Sequence, residues 1–495
     1  MNLLKKQGFF NSITLYIGTA LGFFNLIILF QRAFTAEQIG FFVLMNSVCL
    51  LYTQFAAIGF NSVIPRYFPY FKAQDGNHHG FPSYVFKVTG IGFLVVTALY
   101  VFGKEIVIDF KDSGNGSSYY AQYYYLIIPL SLFVFWYAIT ETFARTTFHN
   151  ILPSFLREVL LKVFTTIGVG LVYFQWIQYQ EFIYWYVIAN ALILLILLGY
   201  LKKLDLLRFK TVEAPVKERS SEILRYGFYS MLAGTSITMI QSIGTIMLRI
   251  YTSEEMIGYY GTLFAMGVVI NLPARAFGIT SYQLIADAWK TNDLKKINKI
   301  YGKTSLVQFM LGSLFLIGLI ANWHNILILL KKPEFVDFYY VFVVVAIGFL
   351  VDITGGLNGI IILFSKTYKL MMPILLTAAV LCGLLNVIFI PKFGILGAAL
   401  AYCLTTLILN FTYWLYLLLK YQLQPFSLAF LKLIVIAVLV LLFGIYLPII
   451  DNFFFDVLLR SGLIASIYLF AVYLLRISPD INDAINQILN KLKST

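Results

Sequence analysis

RAFTAEQIGFF, beginning at Arg32, returns as RIYTSEEMIGYY, beginning at Arg249. The pairing sets Arg32 on Arg249, Thr35 on Thr252, Glu37 on Glu254 and, past one inserted residue, Gly40 on Gly258. Other matches hold nearly the same offset: Tyr123 and Tyr124 fall on Tyr339 and Tyr340, and Phe148 on Phe364. Several short matches at one spacing mark an internal repeat, one structural unit written twice. Each copy stands between two long apolar runs, so the repeat bears on topology as well as symmetry.

The runs themselves demand a membrane. With 60% hydrophobic and only 12% charged residues in 495, the chain has too little polar surface to clothe a soluble globule, and a spanning helix needs only about 20 apolar residues. Fourteen spans are expected, from residues 10–31 to 456–475, with the fifth at 156–177. The opening run follows two lysines but has no small-x-small cleavage site, and reads as the first helix, not as a signal peptide. The first twelve spans form the two copies. Six spans per copy bring both into the membrane from the same side, which predicts two lobes about a pseudo-twofold axis along the membrane normal, with a cavity between them. The expected division is an N-lobe over 1–203, a charged cytoplasmic linker over 204–225, a C-lobe over 226–420, two extra spans over 421–476 and an amphipathic tail over 477–495.

Basic residues set the orientation. Of 36 lysines and arginines, only Arg32, Lys104, Lys111, Arg249, Lys331, Lys332, Lys392 and Arg460 fall on one side of this arrangement. The excess on the other side predicts that both termini are cytoplasmic. Topology accounts for the net charge of +13; the basic residues are dispersed over short loops, without the contiguous face that nucleic acid binding requires. A basic inner face also attracts anionic lipid headgroups, so the bilayer is itself a partner.

Little in the chain suggests enzyme chemistry. Cys49, Cys382 and Cys403 fall inside spans as small apolar fillers, and His78 with His79 reads as a solvated loop, so no metal site is expected. The longest outward loop holds Asp109 and Asp112 without a supporting domain, and no P-loop, Rossmann glycine pattern or nucleophile elbow is present. A transporter is expected, without a cofactor.

IGTALGFFNLIILFQRAFTAEQIGFF, AAIGFNSVIPRYFPYF and IPKFGILGAALAYCLTTLI together resemble the Wzx-type polysaccharide flippases, the polysaccharide transporter family of the superfamily that also holds multidrug and toxin extruders (MATE-like) and MurJ lipid II flippases. The resemblance runs from residue 1 to about 476. It implies an all-α, fourteen-helix, MATE-like fold in a bacterial cytoplasmic (inner) membrane. It also implies a substrate, an undecaprenyl-diphosphate-linked oligosaccharide carried from the inner to the outer leaflet by alternating access, as in O-antigen and related polysaccharide biosynthesis. Other polysaccharide-assembly membrane proteins are the implied partners. A cation-coupled drug exporter of the same fold is the first alternative, and a non-transport polymerase or ligase of the glycan the second. Many drug exporters place a carboxylate on the first helix; here that helix carries Asn25 and no acidic residue.

A glycan diphosphate needs a wet, cationic cavity, because each polar group stripped of water costs several kcal/mol in hydrocarbon. Arginine suits it through its planar fork and persistent charge. Arg66, Arg145 and Arg275 lie close to or inside apolar segments; in the resembled flippases, cavity arginines on the first, second and eighth helices hold the diphosphate, which singles out Arg275 and Arg66. Arg32 and its mate Arg249 would receive the headgroup on the outer side. Glu141 and Asp352 are the carboxylates deepest in apolar sequence. Glu141 is one turn from Arg145, the spacing of an intrahelical ion pair. Asp352 has no basic neighbour within a turn and is the candidate for proton or sodium coupling, beside Gly355, Gly356 and Gly359, which loosen the helix or admit a close neighbour. The stretch 287–303 and the tail after Ser478 read as amphipathic helices on the membrane surface.

Overall fold

A chain this apolar must satisfy its backbone internally in lipid, and helices do so within a single segment. The computed structural model describes residues 3–73, 76–105, 118–477 and 482, with the side chains of 3–9, 11, 12 and 275–280 left aside. The described residues form helices and no strands. Thirteen of these helices are long and apolar enough to cross a membrane, from Ile13–Ala33 to Phe453–Leu474. The fourteenth expected span, 156–177, is helical too: Ile151–Phe155, a π-helical turn over Leu156–Leu160, then Leu161–Tyr173. Arg157, Glu158 and Lys162 in its apolar run set it apart from the other thirteen. The amphipathic tail and the pair Asp109 and Asp112 lie outside the described residues.

The helices gather into two compact units, Met1–Thr262 with Leu375–Ala398, and Leu263–Ile374 with Ala399–Thr495. In the first, the repeat mates meet. A Cβ on Gly40 would stand 1.7 Å from the carbonyl oxygen of Glu254, and one on Gly258 would stand 2.0 Å from that of Ala36. Each glycine thus presses on the carbonyl four residues before the other, a reciprocal crossing of the Ala36–Ala56 and Glu254–Val268 helices. Small residues spaced by four let helix backbones touch, the main way helices hold together where lipid is as apolar as leucine.

Thr35 caps the Ala36–Ala56 helix, accepting from the Gln38 N–H while the Gln38 side chain takes the Thr35 N–H. At its far end the chain breaks over Ala57–Gly59 and resumes as Phe60–Phe71. Gly59 has φ of 71° and its Cβ position lies 2.0 Å from the carbonyl of Gly227, so both the turn and the close approach require glycine. Phe60, Phe68, Phe81, Phe135 and Phe143 form the core beneath this turn. The linker expected over 204–225 is more than a tether. Its Val216 and Ile223 are fully buried, and Glu213 donates its backbone N–H to His79 while its carboxylate meets His79 Nδ1 at 2.6 Å.

In the second unit, Leu433, Val440, Ile464 and Tyr468 of the last two helices pack on Phe309 and Ile317 of the Leu294–Ala321 helix. Arg460 bonds both oxygens of Asp456 at 3.0 Å and the carbonyls of Gly444, Leu447 and Pro448, which pins the turn between those helices. The stretch 287–303 differs from expectation. It ends one helix at Lys290 and, after an Asp293 cap, begins the next; Ile297 and Tyr301 are fully buried, so its apolar stripe faces protein.

Gly40→Val and Gly258→Val should each lower the thermal unfolding temperature in nanodiscs, since overpacking costs about 1–3 kcal/mol. Gly199→Ala, whose Cβ meets nothing within 4 Å, should leave it unchanged or raise it slightly, as alanine favours a helix by about 1 kcal/mol.

Candidate functional site

A ladder of charged side chains runs through the first unit. Glu141, on the Ile127–Thr146 helix, has a side chain only 4% exposed. Arg145 Nη2 donates to its Oε1 at 2.7 Å and Arg157 Nη1 to its Oε2 at 2.6 Å. Arg157 Nε also reaches Glu158 at 3.4 Å, and Lys162 Nζ donates to the other Glu158 oxygen at 3.1 Å and to the Gly18 carbonyl at 2.9 Å. The ladder continues without charge. Asn25 donates to the Lys162 carbonyl at 2.9 Å and accepts from Thr166 Oγ1 at 2.7 Å.

Two π-helical turns, Phe24–Leu29 and Leu156–Leu160, place Asn25, Arg157 and Glu158. Such turns insert a residue and re-aim side chains, and they recur at functional sites. The ladder holds three cations against two carboxylates. Its carboxylates are the deeper members: the side chains of Glu141 and Glu158 are 4% and 21% exposed, whereas those of Arg145 and Arg157 are 48% and 42% exposed. The edge open to solvent is therefore cationic, with guanidinium forks held in place from behind, an arrangement suited to an anion of phosphate type.

Glu141 and Arg145 thus form the expected ion pair, and Arg157, Glu158 and Lys162 join it. Those three were missed in the sequence. The signal was present as charges within six residues of an apolar run, where each costs about 2.5–3.5 kcal/mol on insertion scales. Arg66 is exposed on the Phe60–Phe71 helix, its guanidinium 4.3 Å from the centroid of the Tyr226 ring, a cation–π geometry. Arg32 is exposed at the end of its helix. Its mate Arg249 is buried, bonded to Ser118 Oγ at 2.9 Å, 4.0 Å from Glu254 and over the Tyr120 ring. Burial raises the Tyr120 phenol above its ordinary pKa, so the ring faces Arg249 uncharged. Glu254 in turn accepts the backbone N–H groups of Tyr119 and Tyr120. Arg275 lies in the Leu272–Lys290 helix, and its side chain is outside the described residues.

Asp352 belongs to the second unit. Asn410 Nδ2 stands 3.5 Å from its Oδ1, and Asn410 Oδ1 accepts from Asn358 Nδ2 at 2.8 Å. The helix is interrupted here, ending at Thr354 and resuming at Asn358. A Cβ on Gly355 would meet Asn410 Oδ1 at 2.0 Å, so this glycine both marks the break and admits a neighbour. Ser305 approaches from the Leu294–Ala321 helix, its Oγ 2.4 Å from where a Cβ on Gly356 would stand, fully buried and without a hydrogen-bond partner. Among the described residues no cluster of histidine, cysteine or carboxylates would hold a metal.

No family model and no curated sequence relative matches the chain. Solved structures do. A lipid II flippase MurJ in an inward closed conformation is similar with a TM-score of 0.71 at 18% identity, over 94% of this chain and 98% of that one. A multidrug resistance MATE family transporter of the MOP superfamily, outward-facing, follows with 0.58 at 13% identity over 84% and 96%. A MOP superfamily transporter from Pyrococcus furiosus, whose binding pocket is described as of reverse polarity, gives 0.56 at 12% over 84% and 96%. At these identities the likeness is one of fold. The chain is an all-helical polytopic membrane protein with a MurJ/MATE-like fold, and these structural neighbours are transporters and flippases.

The ladder predicts a non-additive pair. Arg145→Ala and Arg157→Ala should each cost under about 1 kcal/mol, as for half-exposed ion pairs, because one arginine remains on Glu141. Together they strand a buried carboxylate, which costs about 3–5 kcal/mol. Denaturation of the two singles and the double checks this; a double equal to the sum of the singles contradicts it.

Proposed function

We propose that the chain is a flippase that moves an undecaprenyl-diphosphate-linked oligosaccharide from the inner to the outer leaflet of a bacterial cytoplasmic membrane by alternating access. The observation that carries this reading is the cationic edge of Arg145 and Arg157, backed by buried Glu141 and extended by Lys162. Under the expected topology with both termini inside, this edge stands at the cytoplasmic ends of the fourth and fifth spans, where a lipid-borne diphosphate would first be met. The diphosphate displaces water from the arginine forks, the glycan stays in the wet cavity and the lipid tail stays in the bilayer. No covalent step is required.

Arg66 and Arg275 are the residues proposed to take over the anion as the cavity reorients, with Arg32 on the outer side. Arg249 is the weaker candidate, since its guanidinium is already engaged by Ser118 and Glu254. Asp352, beside the helix break where unpartnered Ser305 lies against Gly356, is proposed as the place where a proton or sodium ion couples. An inside-negative potential also favours outward movement of an anion, by about 2.3 kcal/mol per unit charge per 100 mV. The drug-exporter reading is weakened by Asn25, whose amide is bonded on both sides within the ladder on a first helix that carries no carboxylate for cation exchange.

Leaflet exposure of a fluorescent undecaprenyl-diphosphate oligosaccharide in proteoliposomes tests the proposal. The native chain should translocate it, and Arg157→Gln should slow it by about 10- to 100-fold, the worth of one charged hydrogen bond. Efflux of organic cations without glycan translocation would overturn the reading in favour of the drug exporter.

A further inference from the structure

In the first unit a cleft of about 600 Å³ opens among the starts of three helices. Its walls have an unusual chemistry for a chain so apolar. Gln38, Gln122, Gln175, Gln178 and Gln180 line it together with the rings of Tyr119, Tyr123 and Tyr179, and none of the described lining residues is charged. The neighbouring carboxylate of Glu181 is turned away into a helix cap, accepting the Gln178 N–H at 2.7 Å.

The rings are fixed in place. Tyr119 and Tyr123 lie 8° from parallel with centroids 6.4 Å apart, and Tyr179 meets Tyr119 edge-on at 5.4 Å. Tyr179 donates its hydroxyl to the Gln38 carbonyl at 2.6 Å, and Gln38 Nε2 donates to the Tyr119 hydroxyl. Around this platform Gln122, Gln175 and Gln180 are exposed, each offering two donors and a carbonyl acceptor. Gln175 is held at φ of 60°, and Phe174 and Trp176 beside it are 67% and 77% exposed, as aromatics are at a membrane–water interface.

We propose that this cleft is a saccharide subsite that binds uncharged sugar residues of the translocated glycan at the outer face; the inference rests on the flippase reading. Paired donors and acceptors on one planar amide match vicinal hydroxyls, and the partly exposed ring of Tyr119, held in place by buried Tyr123 and Tyr179, covers the C–H side of a sugar ring at little entropic cost. Among the described lining residues a diphosphate would find no cation, and an organic cation no carboxylate. The cleft therefore complements the ladder: one takes the anion, the other the neutral sugars.

The test uses the full chain in nanodiscs and, as probe, the oligosaccharide released by mild acid from the lipid-linked pool of the source cells. Saturation-transfer NMR should show binding through the sugar protons. It should weaken about tenfold in Gln175→Ala/Gln180→Ala, two neutral hydrogen bonds' worth, with thermal stability unchanged, while Tyr119→Phe, which keeps the ring, retains it. Absence of transfer with the native chain, or an undiminished signal in the double variant, overturns the subsite. Equal binding of free glucose and sucrose overturns it too, by assigning the cleft to solution sugars. If the native chain translocates lipid-linked glycan yet does not bind the released one, the subsite fails alone; if it binds the glycan but translocates none, the flippase reading fails and the subsite stands.

Discussion

A buried carboxylate among apolar helices is costly unless it is answered by charge, and Glu141 is answered twice. Its two oxygens are taken by arginines from two different helices, so one acidic side chain orients two guanidinium groups and joins the segments that carry them. Without Glu141 the arginines would repel each other and turn to water; with it they form a rigid cationic edge. The buried anion is thus the means by which the protein keeps cations at membrane depth, and the proposed recognition of a diphosphate follows from that balance. Asn25 and Lys162 extend the same logic to the first helix: the backbone carbonyls of Gly18 and Lys162 take up the remaining donors.

The rest of the first unit serves to bring backbones close. Gly40 and Gly258 cross at carbonyl distance, and Gly59 lets the second span turn toward Gly227. In water the hydrophobic effect would press these helices together; in lipid, close packing must do so. Near the crossing, Glu254 and Arg249 bury a second pair and tie down the start of the helix that carries Tyr119, which fixes one wall of the glutamine-lined cleft. Packing, ion pairing and the proposed sugar platform are therefore parts of one polar and steric arrangement.

Much of this was legible in the sequence. Hydropathy located the spans, and the repeat aligned Gly40 with Gly258; that the two helices touch at these residues is seen only in the structure, where a close backbone crossing admits only glycine. The spacing of Glu141 and Arg145 gave one rung of the ladder. The other rungs join residues far apart in the chain, as Asn25 and Lys162 are, and no periodicity reports such a contact. Arg157, Glu158 and Lys162 were visible as residues, but their pairing with Glu141 depends on how two helices meet. Symmetry in sequence also failed to imply symmetry in role: Arg32 is exposed, while its mate Arg249 is enclosed by Ser118 and Glu254. The stretch around Ile297 misled for a related reason, since an apolar stripe has the same spacing whether it faces lipid or protein.

The central claim is that the ladder's open edge recognises a diphosphate borne on a lipid. Native mass spectrometry of the chain released from nanodiscs doped with equal amounts of undecaprenyl diphosphate and undecaprenol tests it directly. The account predicts selective retention of the diphosphate, lost in Arg157→Gln and reduced in Arg145→Gln. Equal retention of the two lipids, or selectivity that survives both substitutions, would contradict it.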